Sequence, residues 1–209
     1  MVGMVLMALL TLIGVMELGR VVVAFISILD VEAASTEEDL ERVSALNEGM
    51  FLLYATAFFS AVVTWCVWVG KSCKNAWFLE AQRGAEGGSN AVTPGWAVAY
   101  YFIPIMNLWK PMEAMAFIRD SVTRYGGTLG YTVGWWWFFL ILSLVANRIS
   151  IFVFTEGTTE DYIAALKLRM LLSPIYLTSL AMAFLLVQKM TRVQERLRKA
   201  LVSGKALRA

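Results

Sequence analysis

The sequence predicts an all-α fold, a polytopic bundle of helices built for a membrane. Three observations predict it. Hydrophobic residues make up 59% of the 209-residue chain and charged residues only 16%, against roughly 25% charged in soluble domains. Mean hydropathy is +0.64. The charges are segregated, so that four long apolar runs alternate with short charged stretches, the pattern of helices that cross a bilayer.

The first run, about Met4 to Leu29, exceeds the roughly 20 residues a spanning helix needs. It has no Lys or Arg before it and carries Glu17 and Arg20 inside it, so it reads as a span and not as a cleaved leader. The stretch from Asp30 to Glu48 holds seven acids and only Arg42, which places it outside the cell. The second run, Phe51 to Val69, is followed by Lys71, Lys74 and Arg83, an inside signature. The third run covers Tyr131 to Phe154 and the fourth Met170 to Val187. Between them Glu156 to Asp161 is acidic and reads as outside, although Lys167 and Arg169 sit awkwardly beside it. The tail, Lys189 to Ala209, carries seven basic residues and one acid and belongs in the cytoplasm.

Between the second and third runs lies an apolar segment broken by Pro94, Pro104 and Pro111, three of the four prolines in the chain. Proline removes a backbone donor, and a carbonyl freed in hydrocarbon must find a partner within the protein. If residues 95–118 crossed, the second acidic loop would be inside and the basic tail outside. If they dip in and return, every stretch falls on its expected side. The expected fold is therefore four transmembrane helices, both termini inside, plus a Pro-broken re-entrant or interfacial segment; five spans is the alternative. The chain is a single membrane domain, residues 1–209. It divides into a first hairpin (1–75), a central segment (76–130), a second hairpin (131–190) and a basic tail (191–209).

The two hairpins share short strings. Ile26-Ser27-Ile28 precedes Thr36-Glu37-Glu38-Asp39, and Ile149-Ser150-Ile151 precedes Thr158-Thr159-Glu160-Asp161. A Thr cap followed by acids suits a helix N-terminus. The strings point to tandem parallel repeats flanking the central segment. All eight tryptophans lie at 65, 68, 77, 96, 109 and 135–137, near the inner leaflet in the four-span arrangement, where indoles serve as interfacial anchors.

Ionisable groups inside a span are costly. Glu17 and Arg20 share one helix face, and Asn147 and Arg148 lie in the outer half of the third run. Glu17 is expected to pair with Arg20, Arg148 or both, as an interhelical clamp or as part of a polar path. In the centre, Asn107 is placed to bond a carbonyl freed by Pro104 or Pro111, and Lys110 to reach the phosphate level, with Glu113, Asn75 and Lys74 nearby. The tail helix from Gln188 to Leu201 has apolar Met190, Val193, Leu197 and Leu201 at 3–4 spacing beside five basic residues. It is expected to lie on the anionic inner leaflet.

The chain has no histidine, which excludes His-based triads, His-ligated haem and most zinc sites within it. Cys66 and Cys73 stand about 10 Å apart along one helix face, too far for a disulfide, and have no metal-ligand spacing. No cofactor, metal site or nucleic-acid partner is expected.

Residues 71–115 resemble the membrane-protein family catalogued as domain of unknown function 4328. The resemblance rests on Lys71-Ser72-Cys73-Lys74-Asn75, Thr93-Pro94-Gly95-Trp96-Ala97-Val98, Phe102-Ile103-Pro104-Ile105-Met106-Asn107-Leu108-Trp109-Lys110-Pro111, and Met112-Glu113-Ala114-Met115. It implies a bacterial integral membrane protein and supplies no activity. Asn75, Pro94, Gly95, Trp96, Pro104, Asn107, Lys110 and Pro111 form the candidate central site; Glu17, Arg20, Asn147 and Arg148 form the candidate intramembrane cluster. With no paired acids or nucleophile–base pair, an enzyme ranks last. A scaffold or accessory subunit, bound to another membrane protein or to itself, ranks first. A small transporter or channel is the alternative.

Overall fold

The computed structural model describes residues 1–33, 37–81, 92–124, 132–152 and 159–202. Six α-helices account for most of them: α1 (Val2–Ala33), α2 (Glu37–Ala81), α3 (Pro94–Ala99), α4 (Lys110–Thr123), α5 (Thr132–Phe152) and α6 (Thr159–Val202), with a 3₁₀ turn at Met106–Leu108. No strand occurs among the described residues. Three helices hold stretches long and apolar enough to cross a membrane: Val2–Leu29, Glu48–Ala81 and Ile163–Ala200. The third expected run forms α5, of 21 residues. The cap threonines Thr36 and Thr158, Arg83, and the end of the tail, 203–209, lie outside the described residues.

Two helices outrun their apolar runs. α2 has 45 residues and α6 has 44, so each extends roughly 65 Å at 1.5 Å per residue, twice the ~30 Å hydrocarbon core. The tail is not a separate helix lying on the surface but the unbroken end of α6. No Gly or Pro stands between Pro174 and Gly204, and the intervening Gln, Lys, Arg, Glu and Leu are good helix formers. Propagating a helix already nucleated adds a hydrogen bond per residue, whereas a new helix needs a costly nucleus.

The chain forms two compact units that cut across the expected hairpins: Met1–Ala8, Val62–Trp137 and Met182–Ala209 make the first, and Leu9–Ala61 with Phe138–Ala181 the second. In the second unit Ile13 of α1 packs with Ala57 and Ala61 of α2, joined by Tyr176 and Leu180 of α6. Further along α1, Ala24 and Ile28 pack on Leu166, with Ile163 and Met170. As α1 advances, α6 recedes, so the two are antiparallel.

α2 and α6 run in the same sense. In the first unit the Trp68 indole donates to Thr191 Oγ1 at 3.1 Å, the Gln194 amide donates to the Ser72 carbonyl at 3.3 Å, and Asn75 donates to Gln194 Oε1 at 3.2 Å. Residue numbers across these contacts differ by 119 to 123, and a near-constant difference is the mark of parallel helices. Thr191 also sits hard against α1. A Cβ on Gly3 would lie 2.6 Å from Thr191 Oγ1, so only glycine allows this approach.

One pattern recurs on α2 and α6. Tyr54-x-Thr56-Ala57-x₃-Ala61 matches Tyr176-x-Thr178-Ser179-x₃-Ala183. The small residues of both are buried, as the close approach of membrane helices requires. Each threonine bonds back one turn, Thr56 Oγ1 to the Leu52 carbonyl at 2.9 Å and Thr178 Oγ1 to the Pro174 carbonyl at 2.7 Å. Pro174 interrupts the ladder of α6 by withholding the amide that would bond the Met170 carbonyl. The Ser173 hydroxyl takes that place, donating to Met170 O at 3.0 Å.

Candidate functional site

In the second unit the polar groups of α1, α2 and α6 converge on Glu17, which is 5% exposed and stands near the middle of the Val2–Leu29 stretch. Arg20, one turn on, places Nη1 3.6 Å from Glu17 Oε2, and Arg169 of α6 places Nη2 3.8 Å from the same oxygen. The Arg20 guanidinium lies over the Tyr54 ring, 4.3 Å from its centroid, a cation–π contact that suits a poorly hydrated guanidinium. The Tyr54 hydroxyl donates to the Tyr176 hydroxyl at 2.7 Å. One acid, two guanidiniums and two phenols thus tie three helices together.

Arg148 makes no ion pair with Glu17, and it and Asn147 are exposed. The reason is the helical period. Ser143 and Ala146 are the buried positions of this part of α5, and Arg148 stands about 200° round from Ala146 at 100° per residue. Arg169 takes the place expected of Arg148. Its mark in the sequence is the misfit of a basic residue beside an acidic outer loop.

The central segment belongs to the first unit. Thr93 caps α3, its hydroxyl accepting from the Trp96 amide at 3.4 Å, and Pro94 opens the helix at a position where its missing N–H costs nothing. Gly95 has open space around it. Trp96 is exposed and its ring leans on Tyr100, centroids 5.6 Å apart. Pro104 stands between α3 and the 3₁₀ turn. Pro111 is buried in the first turn of α4, beside Lys110, whose amine holds Glu113 at 2.6 Å; that carboxylate pushes the Lys110 pKa upward.

Tryptophans pin this segment. The Trp77 indole donates to the Val92 carbonyl at 2.8 Å, with the Cys73 thiol on the same oxygen at 3.1 Å. The Trp137 indole donates to the Leu108 carbonyl at 2.8 Å. Asn107 is placed by the sequence to serve a freed carbonyl and makes no such side-chain bond among the described residues; the Trp137 indole, long enough to reach from α5, holds the Leu108 carbonyl instead. Asn75 bonds Gln194 instead of the segment. Trp68, Trp136 and Trp137 are buried, so they are core and not surface anchors, whereas Trp96, Trp109 and Trp135 are exposed. The Tyr101 hydroxyl is enclosed near Trp65 without a well-formed bond among the described residues, and burial pushes its pKa upward. Arg124 meets Glu80 at 2.9 Å and so joins the ends of α4 and α2. The stretch between α3 and α4 presents Phe102 (65% exposed), Ile105 (70%), Leu108 and Trp109 outward. No group of three or more metal-binding side chains occurs among the described residues.

A family model described as Domain of unknown function (DUF4328) matches residues 31–192. The match takes in Tyr54, the central segment, Arg169 and Tyr176, and leaves Glu17 and Arg20 outside. No curated protein and no solved structure matches the chain significantly.

Proposed function

We infer that this chain, which belongs to the family described as Domain of unknown function (DUF4328), is a four-span protein of the bacterial inner membrane with a non-catalytic task, as a scaffold or accessory subunit of a membrane complex. The observation that carries the reading is where the polar side chains go. Tyr54, Trp68, Asn75, Trp137, Tyr176 and Gln194 each bond another helix or the central segment. Such bonds fasten membrane helices at roughly 1 kcal/mol apiece.

The parallel sense of α2 and α6 supports four spans. With α5 as the crossing between them, the end of α2 and the start of α5 fall on one side. A fifth span at 95–118 would make α2 and α6 antiparallel. Element lengths agree, since α3 has 6 residues and α4 has 14, both short of the roughly 20 that a span needs. The basic stretches then put both termini in the cytoplasm. The exposed Phe102, Ile105, Leu108 and Trp109 dip into the inner leaflet, with Lys110 at the phosphate level, and the basic face of α6 meets anionic lipid. Reporter fusions after Ala85, Thr128 and Ala209 test this topology. All three should report from the cytoplasm, and an outside report at Thr128 refutes the arrangement. Native purification in mild detergent tests the task. Co-purification of a membrane partner or self-association is expected; a chain that always runs alone overturns the scaffold.

The surplus of positive charge around Glu17 favours a second reading, a small transporter or channel. Proteoliposomes containing the chain should then pass anions faster than empty ones, and Glu17→Gln should change that rate. Equal permeability with and without the protein removes this reading.

A further inference from the structure

The cluster around Glu17 has more donors than it uses. Both guanidiniums address the same carboxylate oxygen, at 3.6 and 3.8 Å, beyond the 2.7–3.2 Å of an N–H···O bond. Each guanidinium has five N–H groups and accepts nothing. Among the described residues neither donates a hydrogen bond. The Tyr176 hydroxyl accepts from Tyr54 and keeps its own proton to donate. Among the described residues two cations share one acid, a count of +1, on helices whose apolar clusters hold Ile13 and Met16 on one side and Met170 on the other. An uncompensated charge at such depth is costly. The side chains of Arg20 and Arg169 remain 16% and 32% exposed, so neither is sealed inside the helices.

We propose that Arg20, Arg169 and Tyr176 hold a singly charged oxyanion beside Glu17. The class follows from the chemistry. Paired guanidinium forks match the flat, two-oxygen face of a carboxylate or phosphate better than a spherical ion, and one negative charge neutralises the site. Tyr54 and Tyr176 occupy equal positions in the recurring α2 and α6 pattern, so the site lies where the repeated helices meet, the usual place for ligands in proteins built from repeats. The oxyanion comes either from the phosphodiester of an anionic phospholipid or from a small free anion. The inference stands whether the chain is a scaffold or a conduit.

The test is thermal unfolding of the full chain, followed by its tryptophan fluorescence, in two arms. In uncharged detergent, inorganic phosphate is titrated against chloride at equal ionic strength. In nanodiscs, phosphatidylglycerol is compared with phosphatidylcholine. A phosphate-specific rise in Tm of roughly 5–10 °C at a hundredfold excess over Kd assigns a free anion. A rise confined to phosphatidylglycerol discs assigns a headgroup. Arg169→Gln should weaken the responding arm by tenfold or more, with Arg169→Lys retaining part of it. Glu17→Gln should strengthen it, because the competing carboxylate is gone. No rise in either arm, or a rise that Arg169→Gln leaves intact, overturns the site. If Arg169→Gln does not fold, Glu17→Gln decides alone, since unchanged or weaker binding there also overturns it.

Discussion

At the scale of single residues, two positions carry disproportionate weight. Glu17 is the acid that Arg20 and Arg169 both pair with, so its removal leaves two facing cations. Glu17→Gln is expected to cost about 3 kcal/mol, the low end for breaking a buried ion pair because both separations are long; denaturant-driven unfolding in detergent checks it without added anion. Gly3 lies where a Cβ would come within 2.6 Å of Thr191 Oγ1 and 2.9 Å of its Cγ2. Gly3→Ala is therefore expected to cost about 1–3 kcal/mol through overpacking. Thr191→Ala in the same chain should recover part of the loss, and a double-mutant cycle measures how much. Glu17 was legible in the sequence because a carboxylate inside an apolar run demands a partner. The identity of that partner was not, because Arg148 and Arg169 lie on different helices and only packing decides which face of α5 turns inward.

At the scale of elements, α6 shows how a proline is tolerated inside a long apolar helix. Pro174 frees the Met170 carbonyl, and Ser173 supplies the donor. Ser173→Ala is expected to cost about 1 kcal/mol in the native chain and close to nothing beside Pro174→Ala, where the backbone amide returns. Equal cost in both backgrounds would refute the patch. The central segment uses a different device. Pro94 and Pro111 open helices instead of breaking them, and indoles from α2 and α5 hold the carbonyls of Val92 and Leu108. Proline positions foretold that freed backbone would need partners. They did not say which, since a tryptophan some thirty residues away in sequence reaches the segment only once the helices have packed.

At the scale of the whole molecule, the parallel run of α2 and α6 is the central fact. The two helices share Tyr-x-Thr-small-x₃-Ala at facing places, a mark that is hard to read in sequence because small residues in apolar runs look like filler. Asn75 and Gln194 stand 3.2 Å apart across these helices. In a chain with Cys66→Ser and Cys73→Ala, Asn75→Cys and Gln194→Cys are expected to be joined by a short thiol cross-linker and to be labelled from the same membrane face by an impermeant reagent. Labelling from opposite faces would disprove the parallel arrangement.

Composition, apolar run length and charge sign determined by themselves that this chain is helical, suited to a membrane and interrupted at its centre, because those properties follow from transferring each local segment between water and hydrocarbon. The tertiary structure decided that Arg169 and not Arg148 meets Glu17, that the basic tail continues α6, that buried tryptophans hold the central segment, and that α2 lies parallel to α6. Each of these depends on which helix faces come together, a question of packing and hydrogen-bond reach between residues far apart in the chain, to which local transfer energies are blind.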